Sequence, residues 1–83
     1  MIKIADGVWI NDNPNDFYVS VFPHKSFWAQ GIVLCYNEKN YVAVAELPDR
    51  LSRLFQRCGR TLTPTILESI TTEYKKFLVK RML

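Results

Sequence analysis

The chain has 83 residues, of which 48% are hydrophobic and 23% are charged. A chain of this length buries only one core, so we expect a single domain over residues 1–83, and its apolar content excludes an intrinsically disordered chain. Residues 1–49 hold three basic and six acidic side chains, whereas residues 50–83 hold eight basic and two acidic ones. This basic C-terminal half predicts an anionic partner, because clustered like charges attract the opposite charge.

The apolar segments of the chain are too short for a membrane. The longest, residues 31–36, falls well below the roughly 20 residues of a spanning helix. At the N-terminus, Asp6 and Gly7 come before any apolar run of a signal peptide develops. The sequence therefore predicts a cytoplasmic protein with no membrane partner.

The first half of the chain predicts β-strands. Apolar residues on both sides of Asp6-Gly7 favour either a hairpin with a two-residue turn or one bent strand with a bulge, and both alternatives stay open. A loop of turn formers follows over residues 11–16, and Gly31 marks either a bulge or a close approach of another backbone. Runs of β-branched and aromatic residues predict further strands over residues 17–22, 27–36 and 41–46.

The second half changes to the helical period. Pro48 and Gly59 bound a predicted first helix, and Thr63 and Pro64 predict the N-cap and first turn of a longer second helix. Strands followed by helices indicate an α+β domain: a four-stranded antiparallel β-meander followed by two C-terminal helices packed on one sheet face. The apolar stripe of the first helix consists of Leu47, Leu51, Leu54, Phe55 and Cys58.

Both faces of the predicted strands are apolar. Successive residues of a strand point to opposite faces of its sheet. Within residues 27–36, one face includes Val33 and Cys35, and the other includes Ile32 and Leu34. Two helices cover only one face of a sheet. The second face is therefore an exposed binding surface, an interface with a second copy of the chain, or a face closed by curling of the sheet, and these alternatives stay open.

Three arginines on the first predicted helix form a candidate binding ridge. Arg50, Arg53 and Arg57 are spaced i, i+3 and i+7, which confines them to an arc of about 60°. Arg60 extends the ridge into the following loop. Guanidinium groups bind carboxylates and phosphates bidentately. The alternative is a solvated helix face whose arginines complement the helix dipole.

Aromatic side chains of the predicted sheet supply candidate anchors for a partner. Trp28, Tyr18 and Phe22 are of a type that, like arginine, contributes much of the binding energy at interfaces. We therefore expect a small non-enzymatic binding module, of inhibitor or adaptor type, that docks on an acidic protein surface. A protein that binds the nucleic-acid backbone through its basic helices is the second hypothesis.

Four more basic residues lie near the end of the second predicted helix. Lys75, Lys76, Lys80 and Arg81 complement the negative end of the helix dipole. Steering of an anionic partner toward the protein is the alternative role for these charges.

The sequence contains no strong pattern for catalysis or metal binding. His24 is the only histidine and lies far from the basic helices, so a small metal-free ribonuclease of toxin type is a minor hypothesis and no catalytic residue is assigned. Cys35 and Cys58 lack the paired short spacing of a zinc site, and we expect buried thiols, with a disulfide as the alternative. We expect no metal site and no cofactor.

Overall fold

The strands form one antiparallel sheet in the order of the chain. The computed structural model describes residues 1–23 and 31–82. The sheet order is β1-β2-β3-β4, and two helices follow it, which confirms the predicted α+β fold. The elements are β1 (Ile2–Ala5), β2 (Val8–Asp12), β3 (Phe17–Val21), β4 (Gly31–Tyr36), a short 3-10 helix (Val44–Glu46), α1 (Leu47–Arg57) and α2 (Pro64–Met82).

Asp6 and Gly7 form a two-residue turn between β1 and β2. Ala5 pairs with Val8 across this turn, so the hairpin is the correct one of the two alternatives. Gly7 has a φ of 72°, a left-handed conformation that glycine adopts without the steric cost of a Cβ atom. The remaining irregularity of the pair is a shift of register between Lys3 and Ala5.

The predicted strand over residues 41–46 is wrong. Tyr41 forms only an isolated bridge with Tyr36, and the chain then enters the 3-10 helix. The physical reason is the position of Leu47, which is fully buried at the start of α1. If the strand continued through Glu46, Leu47 would extend along the sheet edge. The 3-10 helix instead turns the chain so that Leu47 packs on the sheet face. The described residues nevertheless form four strands, because the first hairpin supplies two of them.

The end of α1 follows the predicted glycine. Gly59 has a φ of 68°. Its N–H donates to the carbonyl oxygen of Gln56 at 3.2 Å, and the N–H of Arg60 donates to that of Phe55 at 2.9 Å. These two bonds form a Schellman motif, which satisfies carbonyl groups that the helix leaves unpaired and reverses the chain toward α2.

The two helices pack on one face of the sheet, called the inner face. Thr63 caps α2, since its Oγ1 accepts a hydrogen bond from the N–H of Ile66 at 3.2 Å. Phe17 of β3 contacts α2 through tilted rings, with centroids 5.0 Å from Tyr74 and 5.4 Å from Phe77. The core formed between sheet and helices includes Val8, Ile10, Phe17, Val19, Val21, Cys35, Leu51, Leu54, Phe55, Ile70 and Tyr74.

The opposite face of the sheet, called the outer face, is apolar and partly exposed. Ile32 and Leu34 of β4 are 48% and 46% exposed, and Trp9 and Tyr18 are half-buried. The sheet order ends at β1 and at β4, so over the described residues the sheet does not close on itself. Neither helix in the described part of the chain is long and apolar enough to cross a bilayer.

Candidate functional site

A groove lies between α1 and β4. It has a volume of about 520 Å³ and combines guanidinium groups with an apolar floor. We call it the arginine groove; its lining residues are Val33, Arg50, Arg53, Leu54, Gln56 and Arg57. The structure therefore brings Arg50, Arg53 and Arg57 of the predicted ridge to one place.

Gly31 determines how closely α1 approaches β4. A Cβ atom added at this position would lie 2.5 Å from Cδ1 of Leu54 and 3.0 Å from Sγ of Cys58. The close contacts at Gly31 come from side chains of α1 rather than from another backbone, and the register of β3 and β4 shifts between Phe17 and Tyr18 rather than at this glycine. Because α1 sits this near to β4, its arginines lie beside the strand rather than far above the sheet.

The three arginines of the groove are exposed and form no ion pair within the described residues. The ion pairs found among the described residues are Arg60 with Asp6 at 3.4 Å and Lys76 with Glu73 at 3.3 Å. Arg50, Arg53 and Arg57 have no acidic partner in the described part of the chain. Their positive charges are therefore available to an external anion.

The charge of Arg50 acts on the end of β4. Burial raises the pKa of the Cys35 thiol to about 12, and the nearby positive charge of Arg50 opposes this shift. Cys35 itself is fully buried in the core.

Arg60 does not extend the ridge into the groove. Its Nε donates to the carbonyl oxygen of Phe22, its Nη1 lies 3.4 Å from Oδ2 of Asp6, and its side chain is 16% exposed. A Cβ atom on Gly7 would overlap the guanidinium group. The Schellman motif turns the chain away from the helix axis, so Arg60 joins the loop after α1 to the β1–β2 turn and to the end of β3.

The described aromatic candidates lie away from the groove. Tyr18 is on the outer face, opposite Leu34 in the register of β3 and β4, and its hydroxyl accepts a hydrogen bond from Nδ2 of Asn11. Phe22 follows β3 and is 42% exposed. Trp28 lies outside the described residues, as does His24 of the ribonuclease hypothesis.

The basic residues at the end of α2 divide into two groups. Lys75, Lys76 and Lys80 are exposed around Val79, which is itself 56% exposed. The guanidinium group of Arg81 instead lies over aromatic rings of the protein, 5.3 Å from Tyr36 and 5.9 Å from Phe77, and donates to the carbonyl oxygen of Pro14. The three lysines therefore form a second exposed cationic surface, without Arg81.

Both cysteines are buried and free. Sγ of Cys58 lies 3.6 Å from the carbonyl oxygen of Val21, and that of Cys35 lies 3.8 Å from the carbonyl oxygen of Val33. The predicted buried thiols are confirmed, and the disulfide alternative is wrong. Over residues 1–23 and 31–82, no group of three or more His, Cys, Asp or Glu side chains is placed to hold a metal ion.

The apolar floor of the groove was not predicted as part of a site. Val33 alternates with Ile32 and Leu34 in its predicted strand, and Leu54 belongs to the apolar stripe of the first helix. Both patterns indicate core residues, and Leu54 is indeed almost fully buried. Only the packing of α1 on β4 shows that they also meet the arginines. Gly31 was the available signal, because a close approach at this glycine brings the helix and the strand together.

The chain matches no protein-family model, and no curated protein or solved structure is significantly similar to it.

Proposed function

We propose that this protein is a non-enzymatic binding module, of inhibitor or adaptor type, that docks on an acidic region of a protein partner through the arginine groove. The observation that carries the proposal is the convergence of Arg50, Arg53 and Arg57 on one groove, without an acidic partner among the described residues. Guanidinium groups bind carboxylates in a bidentate geometry, and arginine is enriched at the residues that contribute most binding energy.

The lining of the groove favours a polypeptide partner. Val33, which is partly exposed, places apolar surface beside the three guanidinium groups, and the almost fully buried Leu54 supports it from below. Burial of that surface by a partner removes water from the ion pairs and strengthens them, because Coulomb attraction rises as the local dielectric falls. A polypeptide supplies carboxylates and apolar side chains together, whereas a nucleic-acid backbone supplies mainly phosphate and sugar.

The exposed lysines of α2 offer a matched control surface. Lys75, Lys76 and Lys80 equal the groove arginines in number and charge but surround a separate depression lined with Thr72 and Val79. The variant Arg50→Gln/Arg53→Gln/Arg57→Gln and the variant Lys75→Gln/Lys76→Gln/Lys80→Gln therefore lower the net charge equally. They remove cations from different surfaces, and the lysine variant also removes the ion pair between Lys76 and Glu73.

Binding to two probes of equal charge tests the proposal. A labelled glutamate-rich peptide and a thymidine oligonucleotide are titrated with the unaltered chain and with both variants at several salt concentrations. We expect the arginine variant to lose about tenfold in peptide affinity, since three partly exposed pairs at ~0.5 kcal/mol each amount to ~1.5 kcal/mol. The lysine variant should stay within about twofold.

Two results would contradict docking at the groove. Equal losses in both variants would show that the peptide responds only to net charge. Tighter binding of the oligonucleotide, with a slope against salt of roughly one unit per phosphate contact, would favour the nucleic-acid hypothesis instead.

A further inference from the structure

Among the described residues, the edge of β4 that faces away from β3 has no paired strand between Gly31 and Leu34, and it lies beside the arginine groove. β4 is the last strand of the sheet, and β3 is its only neighbouring strand in the described part of the chain. Near its C-terminal end, the Tyr36–Tyr41 bridge covers this edge, and the N–H of Val42 donates to the carbonyl oxygen of Cys35 at 2.7 Å. The edge from Gly31 to Leu34 lies before this bridge.

The hydrogen bonds of β3 determine which of its backbone groups face β4. The N–H of Phe22 donates to the carbonyl oxygen of Gly7 at 2.8 Å, directly beside the Val8–Val21 pair. Hydrogen-bonded and non-hydrogen-bonded pairs alternate along antiparallel strands. Val21 therefore turns its N–H and C=O groups away from β2 and toward β4, and Val19 does the same two residues earlier.

The same alternation assigns the free groups of β4. The residues opposite the two valines of β3 are Gly31 and Val33, which use their N–H and C=O groups in the sheet. Ile32 and Leu34 consequently direct their N–H and C=O groups away from β3. These groups have no backbone partner among the described residues.

An extended segment added at this edge would contact both sides of the sheet. Side chains of a strand alternate between the two faces. Those opposite Ile32 and Leu34 would lie on the outer face, where both residues are about half exposed. Those opposite Val33 would lie over the arginine groove, because Val33 is part of its lining. A single segment would thus use the apolar outer face and the three arginines together.

Charge complementarity selects an acidic segment rather than a second copy of this chain. Two β4 edges paired about a twofold axis would place both α1 helices on the same side of the joined sheet. Arg50, Arg53 and Arg57 of each copy would then face the like charges of the other, which is unfavourable. A segment with carboxylates on that side is attracted instead.

We infer that the occupant of this site is an extended segment of a protein partner that adds a strand to β4, with acidic side chains over the arginine groove alternating with apolar side chains over the outer face. This inference rests on the proposed function and specifies its partner. Main-chain hydrogen bonds to Ile32 and Leu34 supply part of the affinity, and the alternating side chains supply the specificity.

Peptides methylated on selected backbone nitrogens test the strand pairing. The parent probe alternates glutamate and valine over about eight residues, an ordinary strand length. One derivative is N-methylated at its valines and the other at its glutamates. In antiparallel pairing the valines supply the hydrogen bonds to Ile32 and Leu34, whereas in parallel pairing the glutamates do. We expect methylation of one set to weaken binding about thirtyfold, which is the equivalent of ~2 kcal/mol for two lost hydrogen bonds, and methylation of the other set to change it little.

A variant of the protein gives a second test. Leu34→Pro removes the N–H that points out of the sheet, a position where an edge strand tolerates proline, and Leu34→Ala is the control that keeps it. Thermal melting establishes that each variant is folded. The proline variant should bind the parent peptide more weakly than the alanine variant does.

The outcomes separate the inference from the function on which it rests. If both methylated peptides bind as tightly as the parent, and all three lose affinity for the Arg50→Gln/Arg53→Gln/Arg57→Gln variant, the groove binds acidic chains without strand addition and the inference is wrong. If the parent peptide binds that variant as tightly as it binds the unaltered chain, both the inference and the proposed function are wrong.

Discussion

Replacing Tyr74 by phenylalanine removes a single hydroxyl group that holds the end of β4 to the segment leading into α1. The side chain is fully buried, and its hydroxyl lies 2.6 Å from the carbonyl oxygen of Val42 and 2.9 Å from that of Cys35. The carbonyl of Cys35 also accepts the N–H of Val42 at 2.7 Å. The carbonyl of Val42 has no other donor among the described residues, so the substitution leaves this buried acceptor without a hydrogen bond.

The size of the effect follows from that unpaired carbonyl. Leaving a buried acceptor without a donor costs about 1–3 kcal/mol. The phenyl ring keeps its packing against Phe17, 5.0 Å away between ring centroids, so no cavity of ring size is added to this cost. For a domain of this length, each 1 kcal/mol lowers Tm by roughly 4–8 °C, and we therefore expect Tyr74→Phe to lower it by about 4–24 °C.

Tyr41→Phe is the matched control for this prediction. Tyr41 is 71% exposed, so loss of its hydroxyl should change the free energy of unfolding by less than about 0.5 kcal/mol. Urea and thermal unfolding of the two variants and the unaltered chain give the comparison. Equal stability of Tyr74→Phe and Tyr41→Phe would refute the role assigned to the buried hydroxyl.

Two further predictions concern turns and pH. Gly7→Ala and Gly59→Ala both place an alanine at positive φ, at a cost of about 1 kcal/mol each, but only Gly7→Ala also displaces the guanidinium group of Arg60. Gly7→Ala should therefore destabilise more in urea unfolding, and the excess should vanish in an Arg60→Ala background; an excess that persists would contradict the contact. Burial raises the pKa of Cys35 from 9.0 to about 12 and that of Tyr74 from 10.0 to about 12. The unfolded chain loses these protons first, so the stabilising contribution is fully present below the unfolded pKa values and falls as pH rises from about 9 toward 12. Cys35→Ala should flatten the decline in the free energy of unfolding between about pH 9 and 12, and an unchanged slope would contradict the assignment.

Local sequence signals predicted the helix boundaries well. Gly59 and the Thr63-Pro64 pair act within a few residues of the backbone groups that they cap, so their effect is visible without the rest of the fold. The segment from Tyr41 to Glu46 was interpreted wrongly because its conformation depends on where Leu47 must lie in the core. The β1–β2 turn stayed ambiguous for a similar reason: Gly7 suits a turn and a bulge alike.

The candidate site was predictable only in part. Helical spacing alone places Arg50, Arg53 and Arg57 on one ridge. It does not show that α1 approaches β4 at Gly31, or that Val33 lies beneath the arginines. The different environment of Arg60 depends on residues far away in the chain, Asp6 and Phe22, whose proximity no local pattern indicates.

Mapping the bound peptide on the protein tests docking at the arginine groove most directly. Amide chemical shifts of isotope-labelled protein are followed by NMR as the peptide of alternating glutamate and valine is added. We predict that the largest changes fall on residues 31–35 of β4 and 50–57 of α1, with little change around Lys75, Lys76 and Lys80. Changes centred on those lysines, or spread evenly over all basic residues, would contradict docking at the groove.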